Sequence, residues 1–230
     1  MTDSALRELA DDPSSRKRFF KMLGGAGAVS AATALLAACG DDKTSGASAA
    51  AATKASDDNA SDLKIVNYAL TLEYLEATFY QEVLDSGVIK DKKIGDLAKS
   101  IQQHEQHHVE ALTATAKSLG GKPAAKPKTT FQDVIDKGAT SILQTAATVE
   151  NLGAAAYLGQ AGNIKSKDIL AAALSIHSVE ARHAAALNEL VGRGFGDGRG
   201  GLAGSLPDGP FAKPMDMAAV LKAVEPFIAG

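Results

Sequence analysis

The chain has 230 residues, of which 45% are hydrophobic and 22% charged, so it is long enough for one domain with a buried core. Its formal net charge of −3 offers no overall positive field for phosphate groups, and we therefore expect no nucleic-acid partner. The single cysteine, Cys39, excludes an intramolecular disulfide and a metal cluster built from cysteines. A metal site in this chain must therefore use histidine and carboxylate ligands.

The first segment, residues 1–38, has the pattern of an export signal. A basic cluster at residues 16–21 directly precedes an uncharged run, rich in Gly, Ala and Leu, at residues 22–38. This order is typical of an export signal peptide, and a retained membrane anchor is the alternative. The basic cluster resembles a twin-arginine signal, although Lys17 occupies the position of the second arginine, so the general export route is also open.

Residues 36–40 read LAACG, which resembles the cleavage site of bacterial lipoproteins, where the cysteine is lipidated and becomes the first residue of the mature chain. We therefore expect lipidation of Cys39, membrane attachment through this lipid, and a location at the bacterial cell envelope. Residues 39–61 contain almost no large apolar side chain and cannot bury enough surface to offset the entropy of ordering. They are predicted to form a flexible tether.

Apolar residues recur at helical spacing in four long segments, and no segment has a strong strand-like alternation. Capping residues precede the first and fourth segments, and glycine follows the first, second and fourth, which is the usual order at helix ends. The predicted helices are residues 62–85, with Ser61 or Asp62 as cap and Gly87 as stop; residues 91–119, followed by Gly120 and Gly121; residues 141–158; and residues 166–191, with Ser166 as cap and Gly192 as stop.

The lengths of the connections predict how these helices are arranged. Short connections join the first helix to the second and the third to the fourth, so each pair is expected to be antiparallel. Residues 120–138 predict a long crossover between the pairs, with a brief helical piece at residues 131–135. The fold class is therefore all-α, a four-helix bundle at residues 62–191. A Gly/Pro-rich tail follows at residues 192–230, with a short helix at residues 215–228.

One segment invites a transmembrane interpretation, because residues 138–164 carry a single charged residue, Glu150. A carboxylate at mid-span would cost about 3 kcal/mol on membrane-insertion scales. The segment also contains amide and hydroxyl side chains. We therefore expect a helix buried within the bundle.

The pattern Glu-x-x-His occurs twice, as Glu105 with His108 in the second helix and as Glu180 with His183 in the fourth. Residues three apart lie about one turn from each other on the same helix face, so carboxylate and imidazole can converge on one ion. From ten Glu and five His, about 0.2 such pairs are expected by chance. Two pairs therefore favour a metal site.

The other two helices share a second pattern, a glutamate followed seven residues later by a tyrosine: Glu73 with Tyr80, and Glu150 with Tyr157. Seven residues are about two helical turns, so each tyrosine lies on the same stripe as its glutamate. The chain thus contains the same order twice, Glu-x6-Tyr and then Glu-x-x-His. A pseudo-twofold bundle brings all four glutamates and both histidines to one depth.

At these residues the sequence resembles the ferritin-like family of di-metal carboxylate bundles, in which two helices each contribute Glu and two contribute Glu-x-x-His. The resemblance covers residues 62–191 and is similar to bacterioferritin and the rubrerythrins; with its tail, the chain looks most like exported and desiccation-related ferritin-like proteins. It implies Glu105 and Glu180 as bridges between two metals. Tyr80 and Tyr157 are the candidate catalytic residues, either hydrogen-bonding the ligands and limiting oxidation or serving as core aromatics. The implied metal ligands are Glu73, Glu105, His108, Glu150, Glu180 and His183.

Charge gives an independent reason to expect metal ions. Four buried carboxylates without counter-charge are costly or take up protons. Two divalent ions offset their charge, and carboxylate with imidazole suits iron, with manganese or zinc as alternatives. We therefore expect two iron ions, with oxygen or peroxide as the reactant.

The sequence departs from the family pattern beside each motif. Many ferritin-like proteins place Asp before Glu-x-x-His, where it orients a histidine of the opposite motif; His104 and Val179 occupy these positions, so this support is missing or rebuilt. His104 and His107 are expected to face outward or support the ligands. Glu76 is interpreted as the partner of a basic side chain or as support for the ligands, and His177 as a weaker candidate for touching the site. The cysteines of a rubredoxin module are absent.

Two functions remain open. One is an envelope-exposed di-iron protein that oxidises Fe(II) with oxygen or peroxide. The other is a non-enzymatic ferritin-like scaffold, acting in stress or desiccation or binding a partner, with a structural or degenerate metal site. A homo-oligomer is compatible with the sequence, whereas the tether and the tail disfavour a closed storage cage.

Overall fold

In the computed structural model, residues 45–193 and 211–229 are described, with side chains from residue 56 onward. The predictions for the export signal and for Cys39 lie outside the described residues. The described part contains six α-helices and no β-strand, which confirms the all-α prediction. These helices are α1 (Ser45–Ser86), α2 (Lys92–Ser118), α3 (Gln132–Asp136), α4 (Ala139–Ala161), α5 (Lys167–Leu190) and α6 (Met217–Val224), and one 3₁₀ turn follows at Glu225–Phe227.

The ends of the bundle helices follow the local sequence. The side chains of Asp91 and Ser166 accept hydrogen bonds from backbone N–H groups in the first turns of α2 and α5. Gly120 and Gly192 follow α2 and α5 with φ of +77° and +70°, a left-handed conformation that glycine adopts without steric cost. These helices therefore end where the glycines predicted.

The start of α1 differs from the prediction. The helix begins at Ser45, although residues 39–61 were expected to be a flexible tether. This stretch is rich in alanine, the residue with the highest helix propensity. Its lack of large apolar side chains excludes a buried core, but its composition is compatible with a helix. Asp62 lies inside α1 instead of capping it. Its buried carboxylate accepts hydrogen bonds of 2.8 Å from the backbone N–H groups of Lys165 and Ser166.

The bundle consists of two helix pairs joined by the crossover. Helix α1 packs along α2, and α4 packs along α5, as the short connections predicted. The short helix α3 lies in the crossover. Residues 227–229 pair with the part of the crossover that precedes α3: Thr130 N–H donates to the carbonyl oxygen of Phe227 at 3.0 Å, and Ala229 N–H donates to the carbonyl oxygen of Lys128 at 2.9 Å. Among the described residues, no helix combines the length and apolar character needed to cross a bilayer.

Two apolar clusters fill the bundle. The first contains Phe79 and Phe131, whose rings meet edge to face at 5.0 Å, together with Val220 and Val224 of α6. The second contains Leu70 of α1 with residues of α2, α4 and α5. On α2 and α5 the Glu-x-x-His motif lies between residues of the two clusters. Packing from both sides therefore fixes the positions of the polar side chains at the middle of the bundle.

Candidate metal centre

Each bundle helix contributes one fully buried glutamate to the centre of the bundle: Glu73 from α1, Glu105 from α2, Glu150 from α4 and Glu180 from α5. Their oxygen atoms and the histidine Nδ1 atoms form two donor groups, in each of which all ligand atoms lie within 4.8 Å of one another. Glu105 and Glu180 belong to both groups. The first donor group is Glu73, Glu105, His108 and Glu180, and the second is Glu105, Glu150, Glu180 and His183.

Both histidines direct Nδ1 toward the carboxylates, because the Glu-x-x-His spacing places them one turn from a buried glutamate. The shortest contact of His108 Nδ1 is 3.0 Å, to Glu105 Oε2, and the shortest contact of His183 Nδ1 is 3.0 Å, to Glu105 Oε1. The remaining contacts are 3.1 Å from His108 Nδ1 to Glu73 Oε2 and Glu180 Oε1, and 3.1 Å from His183 Nδ1 to Glu150 Oε2. The six residues proposed as ligands are thus brought together.

The two tyrosines hydrogen-bond glutamates of the opposite half of the repeat. Tyr80 donates its hydroxyl proton to Glu150 Oε1 at 2.6 Å, and Tyr157 donates to Glu73 Oε1 at 2.5 Å. Burial and the adjacent carboxylate raise the pKa of both hydroxyls well above their usual range. Both groups therefore stay protonated and act as donors. The seven-residue spacing located the tyrosines at the site but did not predict this crossed pairing.

The buried carboxyls ionise unequally. Burial and the neighbouring Glu150 raise the pKa of Glu105 to about 7. Burial and Glu105 raise the pKa of Glu180 well above its usual range. Burial opposes ionisation of Glu73, but the charge and hydrogen bond of His108 outweigh it and hold the pKa of Glu73 below its usual value. Without metal, the cluster thus limits its charge by retaining protons.

The histidines carry part of this proton load. Burial disfavours the charged form of His183, but hydrogen bonds to Glu105 and Glu150 outweigh it and raise the pKa of His183 to about 10. The pKa of His108 is raised in the same sense, since contacts with Glu73 and Glu105 outweigh burial. A metal ion that binds Nδ1 must therefore displace a proton.

The donor set fits a metal ion. Glu180 Oε2 is buried and has no hydrogen-bond partner among the described residues, an arrangement that is costly for a carboxylate unless a cation or donor satisfies it. Carboxylate oxygen and imidazole nitrogen are the ligands preferred by iron, manganese and zinc. We conclude that this buried cluster can hold metal.

Glu76 lies beside the two donor groups but belongs to neither. It is buried, it forms no ion pair with a described basic residue, and its Oε2 has no hydrogen-bond partner in the described part of the chain. A Cβ atom added at Gly153 would lie 2.8 Å from Glu76 Oε1 and 3.1 Å from Glu180 Oε2. Of the two interpretations of Glu76, a basic partner is therefore not found among the described residues, and support for the ligands stays a prediction. The missing side chain at Gly153 leaves room for two carboxyl groups.

Three further histidines were candidates, and His104 contacts a predicted ligand. Its Nδ1 lies 2.9 Å from His183 Nε2, so it reaches the histidine of the opposite motif from the position where the resemblance implied an Asp. Burial and the neighbouring His183 lower the pKa of His104 to about 4, so it is neutral. His177 Nδ1 contacts the carbonyl oxygen of Ala154 at 3.0 Å, and His107 is outside both donor groups.

The comparison with known families agrees with this geometry. A family model described as ferritin-like domain matches residues 61–193, a span that includes the four bundle helices from Asp62 onward and all six predicted ligands. No curated protein matches the chain. The match covers more than half of the chain and confirms the ferritin-like resemblance inferred from the motifs. The chain therefore belongs to the ferritin-like domain family.

Proposed function

We propose that this protein binds two iron ions at the buried centre and oxidises Fe(II) with dioxygen or hydrogen peroxide. The observation that carries the proposal is the presence of Glu105 and Glu180 in both donor groups, because a carboxylate has two oxygens and can bridge two ions. Two divalent ions also offset the charge of the four carboxylates that form the donor groups.

The electron balance needs only the reactants named. Two ferrous ions give up one electron each, and dioxygen takes up two electrons and two protons to give hydrogen peroxide. With hydrogen peroxide as oxidant, the same two electrons and two protons give two water molecules. His108, His183 and the four glutamates would bind the ions. Because these side chains are buried, the chain excludes bulk water from the centre. The hydroxyls of Tyr80 and Tyr157 orient Glu150 and Glu73.

We further propose that the protein is exported, lipidated at Cys39 and attached to the bacterial cell envelope. The basic cluster, the uncharged run and the LAACG sequence support this location. At the envelope, the centre would meet Fe(II) and oxidant outside the reducing cytoplasm.

The test is anaerobic titration of the metal-free full chain with Fe(II), followed by dioxygen or peroxide. We expect two ions per chain and one dioxygen consumed for every two Fe(II) oxidised. Glu105→Gln is the matched variant, and it should lose both binding and turnover because this carboxylate belongs to both donor groups. Two ions without oxidant consumption would favour the non-enzymatic scaffold, and no metal binding would refute both the oxidase and a structural metal role.

A further inference from the structure

An apolar cavity lies beside the metal centre, at the end of the bundle where Tyr157 packs. Its volume is about 30 Å³, and alanines from all four bundle helices line it: Ala69 of α1, Ala111 of α2, Ala156 of α4 and Ala172 of α5. Apolar cavities take up small apolar molecules, and about 10 to 15 Å³ suffices for one water-sized occupant. The cavity is thus large enough for a diatomic molecule.

Tyr157 connects this cavity to the metal centre. The residue lines the cavity, and its hydroxyl donates to Glu73, a member of the first donor group. Leu72, which directly precedes Glu73, also lines the cavity. An occupant therefore lies within one side chain of a predicted ligand.

The other end of the bundle is packed differently, although the sequence repeat relates the two ends. Around Tyr80 the space contains Phe79 and the fully buried Phe131, and α6 adds Val220 and Val224. Protein interiors are packed as densely as organic crystals, and empty space lowers stability. The cavity at the Tyr157 end therefore points to an occupant.

The lining favours an apolar occupant over a polar one. The hydroxyl of Tyr157 is already bonded to Glu73, and that of Thr115 donates to the carbonyl oxygen of Ala111 at 2.8 Å. The amide oxygen of Gln160, which also lines the cavity, accepts a hydrogen bond from the side chain of Asn163 at 3.2 Å. Among the lining residues, the Tyr68 hydroxyl alone is buried without a hydrogen-bond partner in the described part of the chain. Hydrogen peroxide, with two donors, would leave most of its hydrogen bonds unmade in this cavity.

We infer that the cavity is a dioxygen site that supplies the metal centre through the Tyr157 side of the bundle. Dioxygen is uncharged, apolar and diatomic, so it matches both the lining and the volume. This inference rests on the proposed Fe(II) oxidation and restricts it: dioxygen enters through the cavity, whereas peroxide reaches the centre by another way.

The test uses xenon as the probe and two variants of α2. Ala111→Val adds methyl groups to the cavity wall, and Ala98→Val is the matched control because Ala98 is buried in the apolar cluster at the Tyr80 end. Crystals of the full chain under xenon pressure should contain xenon in the cavity of wild type and Ala98→Val, and much less in Ala111→Val. If Ala111→Val fails to fold, Ala172→Val narrows the same cavity from α5.

Kinetics give the second readout. We expect Ala111→Val to raise the KM for dioxygen several-fold and to leave peroxide-driven oxidation unchanged, whereas Ala98→Val changes neither. Absence of xenon in wild type, or equal losses with dioxygen and peroxide in Ala111→Val, would overturn the inference. If wild type binds xenon but oxidises no Fe(II), the proposed function is overturned, and so is the role of the cavity in supplying dioxygen. That result would still support a site for small apolar molecules.

Discussion

Tyr157 of α4 donates a 2.5 Å hydrogen bond to Glu73 of α1, although the two residues belong to different halves of the sequence repeat. Tyr80 and Glu150 form the reciprocal contact at 2.6 Å. Each half thus supplies the hydroxyl that orients the glutamate of the other half. The two halves form one polar centre, so a change in either tyrosine acts on a ligand in the opposite helix pair.

We expect Tyr157→Phe to lower the free energy of unfolding of the metal-free protein by about 1 to 3 kcal/mol, because a buried carboxylate oxygen loses its donor. Urea unfolding with and without Fe(II) measures the change, and bound metal should reduce it by satisfying Glu73. Tyr74→Phe is the control, since Tyr74 is on the same helix as Glu73 and outside both donor groups. Equal effects of the two variants would show that the hydroxyl contact has no particular role.

Glutamine substitutions separate the carboxylates of α1 and α4. Glu73→Gln and Glu150→Gln should each lower metal occupancy and abolish Fe(II) oxidation, because each removes a charged ligand from one donor group. Glu76→Gln should retain most of both, since Glu76 belongs to neither group. Metal analysis of the three purified variants measures the number of ions bound per chain. Loss of metal in Glu76→Gln alone would place the ligand one turn further along α1.

Gly153→Ala should weaken metal binding, because its Cβ would lie 2.8 Å from Glu76 Oε1 and 3.1 Å from Glu180 Oε2. Gly95→Ala is the matched control in α2, where nothing lies within 4 Å of the added atom. This control should gain up to about 1 kcal/mol of stability from helix propensity. Adding Glu76→Ala to Gly153→Ala should restore metal binding, and failure of this rescue would exclude the steric explanation.

The metal-free protein should lose stability as the pH rises from 6 to 10. The pKa of His183 is raised to about 10 and that of Glu105 to about 7, so the folded chain binds these protons more tightly than the unfolded chain does. The stabilisation from His183 is complete below pH 6.5 and is lost as the pH rises through about 10. The stabilisation from Glu105 is complete below pH 4.5 and is lost as the pH rises through about 7. Metal affinity should rise over the same interval, because metal displaces the protons. Urea midpoints that increase with pH in the metal-free chain would contradict this assignment.

The lipid anchor has a direct test. Cys39→Ser should leave an uncleaved or soluble species where the wild-type chain associates with the membrane, because the acyl chains provide the attachment. Fractionation and mass spectrometry of the mature N-terminus measure the result. A mature N-terminus far from Cys39, without lipid, would refute the anchor.

The sequence predicted the parts of the site that depend on one helix alone. Three-residue spacing places Glu105 and His108 on one face of α2 whatever surrounds them, and glycine stops depend on local conformation. The surroundings of Glu76 could not be predicted, because they depend on Gly153 of another helix. The contact of His104 with His183 likewise depends on how α2 and α5 meet. The early start of α1 was missed because a low-hydrophobicity segment was assumed to be irregular.

The pairing of the chain end with the crossover sets an order of assembly. Residues 128–130 bond residues 227–229, about a hundred positions later in the sequence, so these hydrogen bonds cannot form until residues 227–229 have been synthesised. The six predicted ligands all lie between residues 73 and 183 and can meet before the tail exists. The contacts that residues 220–229 add at the Tyr80 end therefore become available only after the helices that carry the polar centre have been synthesised.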